Sequence, residues 1–145
     1  MYILQVDFAT PHYDQTVWLR DKILRKPLDM VFYEKDLEQE WNQIHLACYS
    51  EENRILGCLI LKELDGKALK MRQVAVDDDL QGQGVGRFMV AACEKYALEN
   101  GYTEIELNAR DVAIPFYEKL DYKKEGKEFV EVGIKHFKMR KLLDA

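Results

Sequence analysis

The run Met71-Arg72-Gln73-Val74-Ala75-Val76-Asp77-Asp78-Asp79-Leu80-Gln81-Gly82-Gln83-Gly84-Val85-Gly86-Arg87 constrains the fold more than any other stretch of the chain. A strand pattern ends in three aspartates. Three alternating glycines then open a helix whose apolar positions are Val85, Phe88, Met89, Ala92, Tyr96 and Ala97. Glycines at such a junction let backbone amides approach an anion closely, and the positive end of the helix dipole adds attraction. A phosphate-bearing ligand is expected there. Two familiar glycine motifs fail on spacing. The Walker A pattern needs Lys and a hydroxyl residue after its last glycine, where this chain has Arg87-Phe88. The dinucleotide fingerprint needs G-x-G-x-x-G directly after a strand, whereas Asp77 to Leu80 intervene here and the glycines alternate.

The rest of the chain narrows the class. With 145 residues it is expected to form a single domain, 1–145, with one core. No apolar stretch approaches the ~20 residues of a membrane span, and Met1-Tyr2-Ile3-Leu4 lacks the basic start of a signal peptide. Cys48, Cys58 and Cys93 are odd in number and sit inside apolar runs, so they read as reduced core residues and point to the cytoplasm. A net charge of −5 argues against nucleic-acid binding and favours a cationic substrate. An anionic cofactor must then be captured locally, by amides and a few cations. His12, His45 and His136 show no metal-ligand spacing, and no metal is expected.

Periodicity gives a mixed α/β order without repeats or linkers. Leu4, Val6 and Phe8 alternate as a first strand, and Asp14 is placed to cap a helix toward Arg25, stopped by Pro27. A second helix is expected around Leu37 to Trp41. Residues 44–49 and 55–64 read as paired strands joined by Ser50-Glu51-Glu52-Asn53, and Asp65-Gly66 turns into another strand over 69–76. Asn100-Gly101 closes the long helix. Ile105 and Leu107 mark a fifth strand. Ala113, Phe116, Tyr117 and Leu120 give one face of a short helix capped by Asp111, and Phe137 and Met139 mark a final strand. Strands first and a strand–helix–strand crossover later imply a mixed sheet with helices on its faces.

One irregularity stands out in the strand before the glycines. Leu69 and Met71 share a phase, yet the next strong apolar residues are Val74 and Val76. A β-bulge near Arg72-Gln73 shifts the phase in this way; a strand end buried on both faces gives the same pattern.

The glycine run resembles the [QR]-x-x-G-x-[GA] motif of the GNAT acetyltransferases, through Gln81, Gly84 and Gly86. About thirty residues on, Ala113-Ile114-Pro115-Phe116-Tyr117-Glu118-Lys119-Leu120-Asp121-Tyr122 resembles that family's A-x-x-F-Y-E-K-L-G-F segment. With the preceding strand, the two motifs cover roughly half the chain. The tail from Phe129 to Met139 is similar to the F-x-E-x-G-I-x-H-x-x-M ending of an ElaA-type branch. The resemblance implies a GNAT fold: a mixed, mostly antiparallel sheet of six to seven strands, splayed at a β-bulge, with helices on both faces. It implies acetyl-CoA as co-substrate, with the pyrophosphate on the amides of Gln81, Gly82, Gln83, Gly84, Val85, Gly86 and Arg87. The thioester carbonyl would meet amides around Val74, Ala75 and Val76, where free N–H groups stabilise a developing oxyanion. Phe116 would line the cofactor site, and Tyr117 would donate a proton to the departing thiolate.

Two departures from the family pattern bear on this. Arg110 stands where the family often has Asn, seven residues before the tyrosine, and can reach the cofactor only as a donor or a cation. Asp121 replaces the usual glycine after the short helix. The reaction implied is direct transfer of acetyl to the primary amine of a small molecule; the alternative is a non-catalytic acyl-CoA-binding or sensing module. A lysine-like ammonium of pKa ~10.4 is neutral only about once in two and a half thousand molecules at pH 7, so a base helps. Glu104, Glu106, Glu131 and His136 are candidates, His136 reading as a surface residue on an edge-like strand. Arg72, Gln73 and Arg25 are further candidates for the substrate side. The acceptor's identity, and whether the protein is a monomer or a homodimer, are left open by the sequence.

Overall fold

Among the described residues seven strands form one sheet: β1 (Tyr2–Val6), β2 (Ile44–Tyr49), β3 (Ile55–Glu63), β4 (Ala68–Val76), β5 (Glu104–Arg110), β6 (Lys123–Glu131) and β7 (Ile134–Leu142). Four α-helices accompany them among the described residues: α1 (Pro11–Arg20), α2 (Glu34–Glu38), α3 (Val85–Glu99) and α4 (Ile114–Lys119). This computed structural model describes residues 1–144. The strand order is β1-β2-β3-β4-β5-β7-β6. The β1/β2, β2/β3, β5/β7 and β6/β7 pairs are antiparallel, and β4/β5 is parallel. Two compact units share the chain: Met1–Lys62 with Gln73–Cys93, and Glu63–Arg72 with the chain from Glu94 on. Among the described residues no helix is long and apolar enough to cross a membrane.

In the first unit, α1 begins four residues earlier than the Asp14 cap predicts, with Thr10 as its cap. The Thr10 hydroxyl accepts the Tyr13 amide at 3.3 Å and donates to the Asp7 carbonyl at 2.7 Å, and Pro11 fits the first helical turn. The helix runs on into a π-helical turn, Asp21–Arg25, and a 3-10 turn, Lys26–Leu28, that contains Pro27 and closes on left-handed Asp29. α2 ends before Trp41, which is exposed. Val6, Tyr13, Leu19, Ala47, Tyr49, Ile55, Cys58 and Ala75 form the core. Inside it lies an ion pair. Arg20, 1% exposed, donates to both Glu40 carboxylate oxygens at 2.9 and 2.6 Å, and the Tyr13 hydroxyl donates to the same carboxylate at 2.9 Å. Burial pushes the Tyr13 phenol far above its usual range; the Arg20 guanidinium holds Glu40 below the usual carboxylate value against its own burial.

In the second unit, β5 alternates as its sequence predicts: Ile105, Leu107 and Ala109 are buried, with Glu104, Glu106, Asn108 and Arg110 half-buried on the other face. α3 ends in the expected turn. Gly101 is left-handed, Tyr102 donates to the Ala97 carbonyl at 2.9 Å, and Gly101 to Leu98 at 3.2 Å. Asp121 repeats that geometry after α4 at φ +72, with Tyr122 bonded to Tyr117 and Asp121 to Glu118. An aspartate thus does the glycine's work there.

Three sequence expectations in this unit need correction. Asp111 does not cap α4; it opens a 3-10 turn (Asp111–Ala113), where its carboxylate accepts the Val112 amide at 2.9 Å. The buried face of α4 is Ile114 and Tyr117, with Phe116 exposed. β6 was invisible to periodicity because Lys123 to Glu128 is polar on both sides, as an edge strand can be, and Gly126 at φ +78 interrupts its register. The three cysteines are buried and form no disulfide, and burial lifts the Cys58 thiol to about 12.

Candidate active site

The predicted irregularity in β4 exists, for a reason the apolar pattern only half conveys. Gln73 is left-handed, at φ +52, which breaks the extended backbone between Met71 and Val74. The parallel register with β5 covers Ala68–Met71 opposite Glu104–Leu107, just before that break. Burial does not slip to Val74 and Val76, which are half-buried; Ala75 continues the buried phase of Leu69 and Met71. The Gln73 side-chain oxygen is buried with no hydrogen-bond partner among the described residues.

Beyond β4 the chain makes a 3-10 turn, Asp78–Leu80, and reaches the glycines. Gly82 and Gly84 are left-handed, at φ +84 and +85, a conformation only glycine adopts without strain. The Gly84 carbonyl accepts the Phe88 amide at 3.0 Å, so α3 starts here, and the first-turn amides of Val85, Gly86 and Arg87 have no intrahelical acceptor. Gln81, Gly82, Gln83, Gly84 and Arg87 are exposed, Gly86 half-buried and Val85 buried. Open amides, the positive end of a fifteen-residue helix and an exposed arginine suit a phosphate.

The supports of the glycine loop were not legible in the sequence. Asp77, 2% exposed, donates its amide to the Leu56 carbonyl at 2.9 Å and accepts the Leu80 amide on its own carbonyl at 2.9 Å. Its carboxylate takes Lys22 Nζ at 2.8 Å and Arg54 Nη2 at 3.4 Å, and Arg54 also grips Asp79 at 2.9 Å. Burial alone would raise the Asp77 carboxyl, but Lys22 and its other hydrogen-bond donors hold it below the ordinary value. Asp77, Asp78 and Asp79 are thus loop anchors facing cations. Gly57 is needed beside them. A Cβ there would lie 2.7 Å from the Met89 sulfur and 3.0 Å from the Ala75 carbonyl.

An open groove of about 520 Å³ in this unit is lined by Asp14, Val17, Trp18, Asp21, Val31 and Phe32. The protein's own cations already meet much of this lining: Lys22 lies over the Trp18 ring at 5.6 Å and Lys26 is 3.5 Å from Asp21. Arg25, expected as a substrate-side cation, stacks on Phe32 at 4.6 Å, and Arg20 lies over the same ring at 4.8 Å.

The second unit holds the proposed proton donor. Tyr117 is 6% exposed, edge-on to Phe116 at 5.0 Å and to Tyr122 at 5.7 Å. Tyr122 is fixed in turn, its hydroxyl donating to Glu94 at 3.0 Å, with Lys141 bonded to the same carboxylate at 2.9 Å. Arg110 ends β5, half-buried, opposite His136 in the β5/β7 register. The base candidates separate here. Glu104 is paired with Arg140 at 2.9 Å, and Glu106 with Lys138 at 3.2 Å and Arg140 at 3.3 Å. Glu131 is exposed. His136, read from sequence as a surface residue, is only 5% exposed and stacks on Phe129 at 5.7 Å. The polar residues around it hid that burial from a hydropathy pattern.

Comparison with known proteins agrees with this geometry. Residues 13–143 match the family model described as the acetyltransferase (GNAT) domain. The chain is 30% identical over 125 residues to YjcF of Bacillus subtilis (strain 168), an uncharacterised N-acetyltransferase, covering 86% of this chain and 88% of the relative. Its fold is that of an aminoglycoside 6'-N-acetyltransferase solved with coenzyme A, at a TM-score of 0.81 and 17% identity, covering 100% of this chain and 98% of that one. A GNAT acetyltransferase from Elizabethkingia anophelis with acetyl-CoA bound superimposes at a TM-score of 0.75 and 17% identity, covering 98% and 97%.

Proposed function

The chain belongs to the GNAT acetyltransferase family as an acetyl-CoA-dependent N-acetyltransferase, and from that premise we propose that it moves the acetyl group directly to the primary amine of a small molecule. The observation that carries the reading is the pair of left-handed glycines opening α3, which present first-turn amides to a pyrophosphate. In this proposal Gln81, Gly82, Gln83, Gly84, Val85, Gly86 and Arg87 hold the diphosphate. Amides of Val74, Ala75 and Val76 polarise the thioester carbonyl, while Phe116 and Arg110 contact the cofactor. Acetyl-CoA supplies an activated acyl carbon with a stable thiolate leaving group. The C–N bond forms as the C–S bond breaks, and the Tyr117 hydroxyl gives its proton to the departing sulfur. The groove of Asp14, Trp18, Asp21 and Phe32, with the net charge of −5, supports a cationic acceptor. The three buried, reduced cysteines suit a cytoplasmic setting.

The test is acetyl-CoA turnover against polyamines, amino sugars, amino acids and peptides, read as free thiol released. Turnover with one class of small amine is expected. Preferential acetylation of peptides would replace the acceptor class, and tight acetyl-CoA binding without turnover on any amine would favour the sensing module.

A further inference from the structure

His136 is held in a single tautomer. Its Nδ1 lies 2.8 Å from the Ile134 carbonyl oxygen, and a carbonyl can only accept, so Nδ1 carries the hydrogen. The neutral ring therefore keeps its lone pair on Nε2, the nitrogen that the Ile134 bond leaves over. Phe129, opposite His136 in the β6/β7 register, stacks on the ring at 25° between planes and fixes its orientation. A buried imidazole with its free lone pair set by a backbone bond is the arrangement of a proton acceptor. The other buried histidine shows the structural alternative: His45 puts Nε2 on the Glu40 carbonyl at 3.0 Å and packs edge-on to Tyr13 inside the core.

Placement on the sheet adds to this. The register Glu106–Arg140, Asn108–Lys138 and Arg110–His136, with the ion pairs between Glu106, Lys138 and Arg140, puts His136 on the polar face of β5 and β7. Tyr117 belongs to the other face, where Tyr122, Glu94 and Lys141 are linked. A proton donor and a proton acceptor on opposite faces of one strand end can serve two different atoms without neutralising each other.

We propose that His136 Nε2 is the general base that deprotonates the acceptor ammonium; this rests on the amine-acetyltransferase reading above. Nε2 takes one proton from the ammonium, and the freed lone pair forms the C–N bond as the C–S bond breaks. Tyr117 protonates the sulfur, the nitrogen's second proton restores the phenol through solvent, and the imidazolium releases its proton to bulk water. The charged residues next to His136 in the strand registers are Arg110 on β5, Lys135 and Lys138 on its own strand, and Glu131 on β6, opposite Ile134; Lys135 pairs with Glu128 at 3.9 Å.

His136→Asn tests this, because its side-chain amide can still donate toward the Ile134 carbonyl but cannot take a proton; His136→Gln is the second variant. Each is assayed with the best primary alkylamine of the screen and with a β-fluorinated analogue already neutral at pH 7. With the alkylamine, kcat/KM should fall roughly 10²–10⁴-fold and lose its acid limb, with acetyl-CoA affinity and melting temperature unchanged. With the fluorinated amine the loss should be under about tenfold, since little deprotonation is needed. Equal losses on both amines, or none on either, would overturn the base assignment while leaving the acetyltransferase reading intact. A wild type inactive on every amine would overturn both. Nitrogen NMR of the wild type gives a readout independent of activity: the proposal requires the Nδ1–H tautomer, and an Nε2–H tautomer contradicts it.

Discussion

In the unit that carries the glycine loop, carboxylates are buried and closely paired: Glu40 with the buried Arg20, and Asp77 with Lys22 and Arg54, which reach it from solvent. In the unit that carries Tyr117 and His136, charge lies in a ladder over a half-exposed sheet face, where Arg140 alone reaches Glu104, Glu106 and Glu125. The two designs differ in redundancy. Removing one partner of a buried pair strands the other in low dielectric, whereas a ladder member has several substitutes and water besides. The Asp77 pairs tie the turn before the glycines to Lys22 and Arg54.

The largest expected break of this comparison is at the proton donor. Tyr117→Phe keeps the ring that packs on Phe116 and Tyr122 and removes only the hydroxyl. Steady-state kinetics should show kcat lower by roughly 10²–10⁴-fold with acetyl-CoA affinity retained. A full kcat under chemistry-limited conditions would make the tyrosine structural. Next comes the contrast in charge burial. Glu40→Gln leaves Arg20 buried without its counter-charge and should cost about 3–5 kcal/mol in denaturant unfolding, whereas Glu104→Gln should cost under about 1 kcal/mol. Similar costs would erase the distinction between the units.

Acid sharpens the same contrast. Asp77 and Glu40 are held below their ordinary values in the folded state, so their contribution is complete above the ordinary carboxylate pKa of ~4 and is lost as pH falls through the depressed folded values. Thermal melts should therefore show a steep loss of stability below about pH 4, reduced in Asp77→Asn, which has already forfeited its share. A variant with the wild-type acid slope would exclude Asp77 as a source. The smallest effect is expected at Arg110. If it touches the cofactor, Arg110→Ala should raise KM for acetyl-CoA a few-fold and leave that of the amine unchanged. A rise confined to the amine would place it with His136 on the acceptor side.

What the sequence conveyed follows the physics of each element. Local signals carried β2, β3, β4, α3 and the turn at Gly101, because their alternation, helical spacing and glycine all favour the same structure. The glycine loop was legible for the same reason. Its anchors were not: Lys22, Arg54 and Asp77 lie 55 and 23 residues apart in their pairs, and no local pattern announces such a contact. β6 escaped because an edge strand can be polar on both faces. The burial of His136 escaped because its cover comes from Phe129 across the β6/β7 hairpin. The bulge lay in between: the break at Gln73 was placed well, although burial past it follows Ala75 and not its larger valine neighbours.

The central claim is that the loop from Gln81 to Arg87 holds the cofactor's diphosphate, and a matched pair of glycine substitutions tests it most directly. Gly84 and Gly66 are both left-handed, at φ +85 and +76, and a Cβ at either would meet nothing within 4 Å. Gly84→Val and Gly66→Val therefore carry comparable backbone strain, but only the first puts a branched side chain in the cradle. Calorimetry with acetyl-CoA on the folded variants should show affinity weakened more than about tenfold, or ~1.4 kcal/mol, in Gly84→Val and unchanged in Gly66→Val. Wild-type affinity in Gly84→Val, or an equal loss in both, would contradict the assignment of the loop as the phosphate cradle.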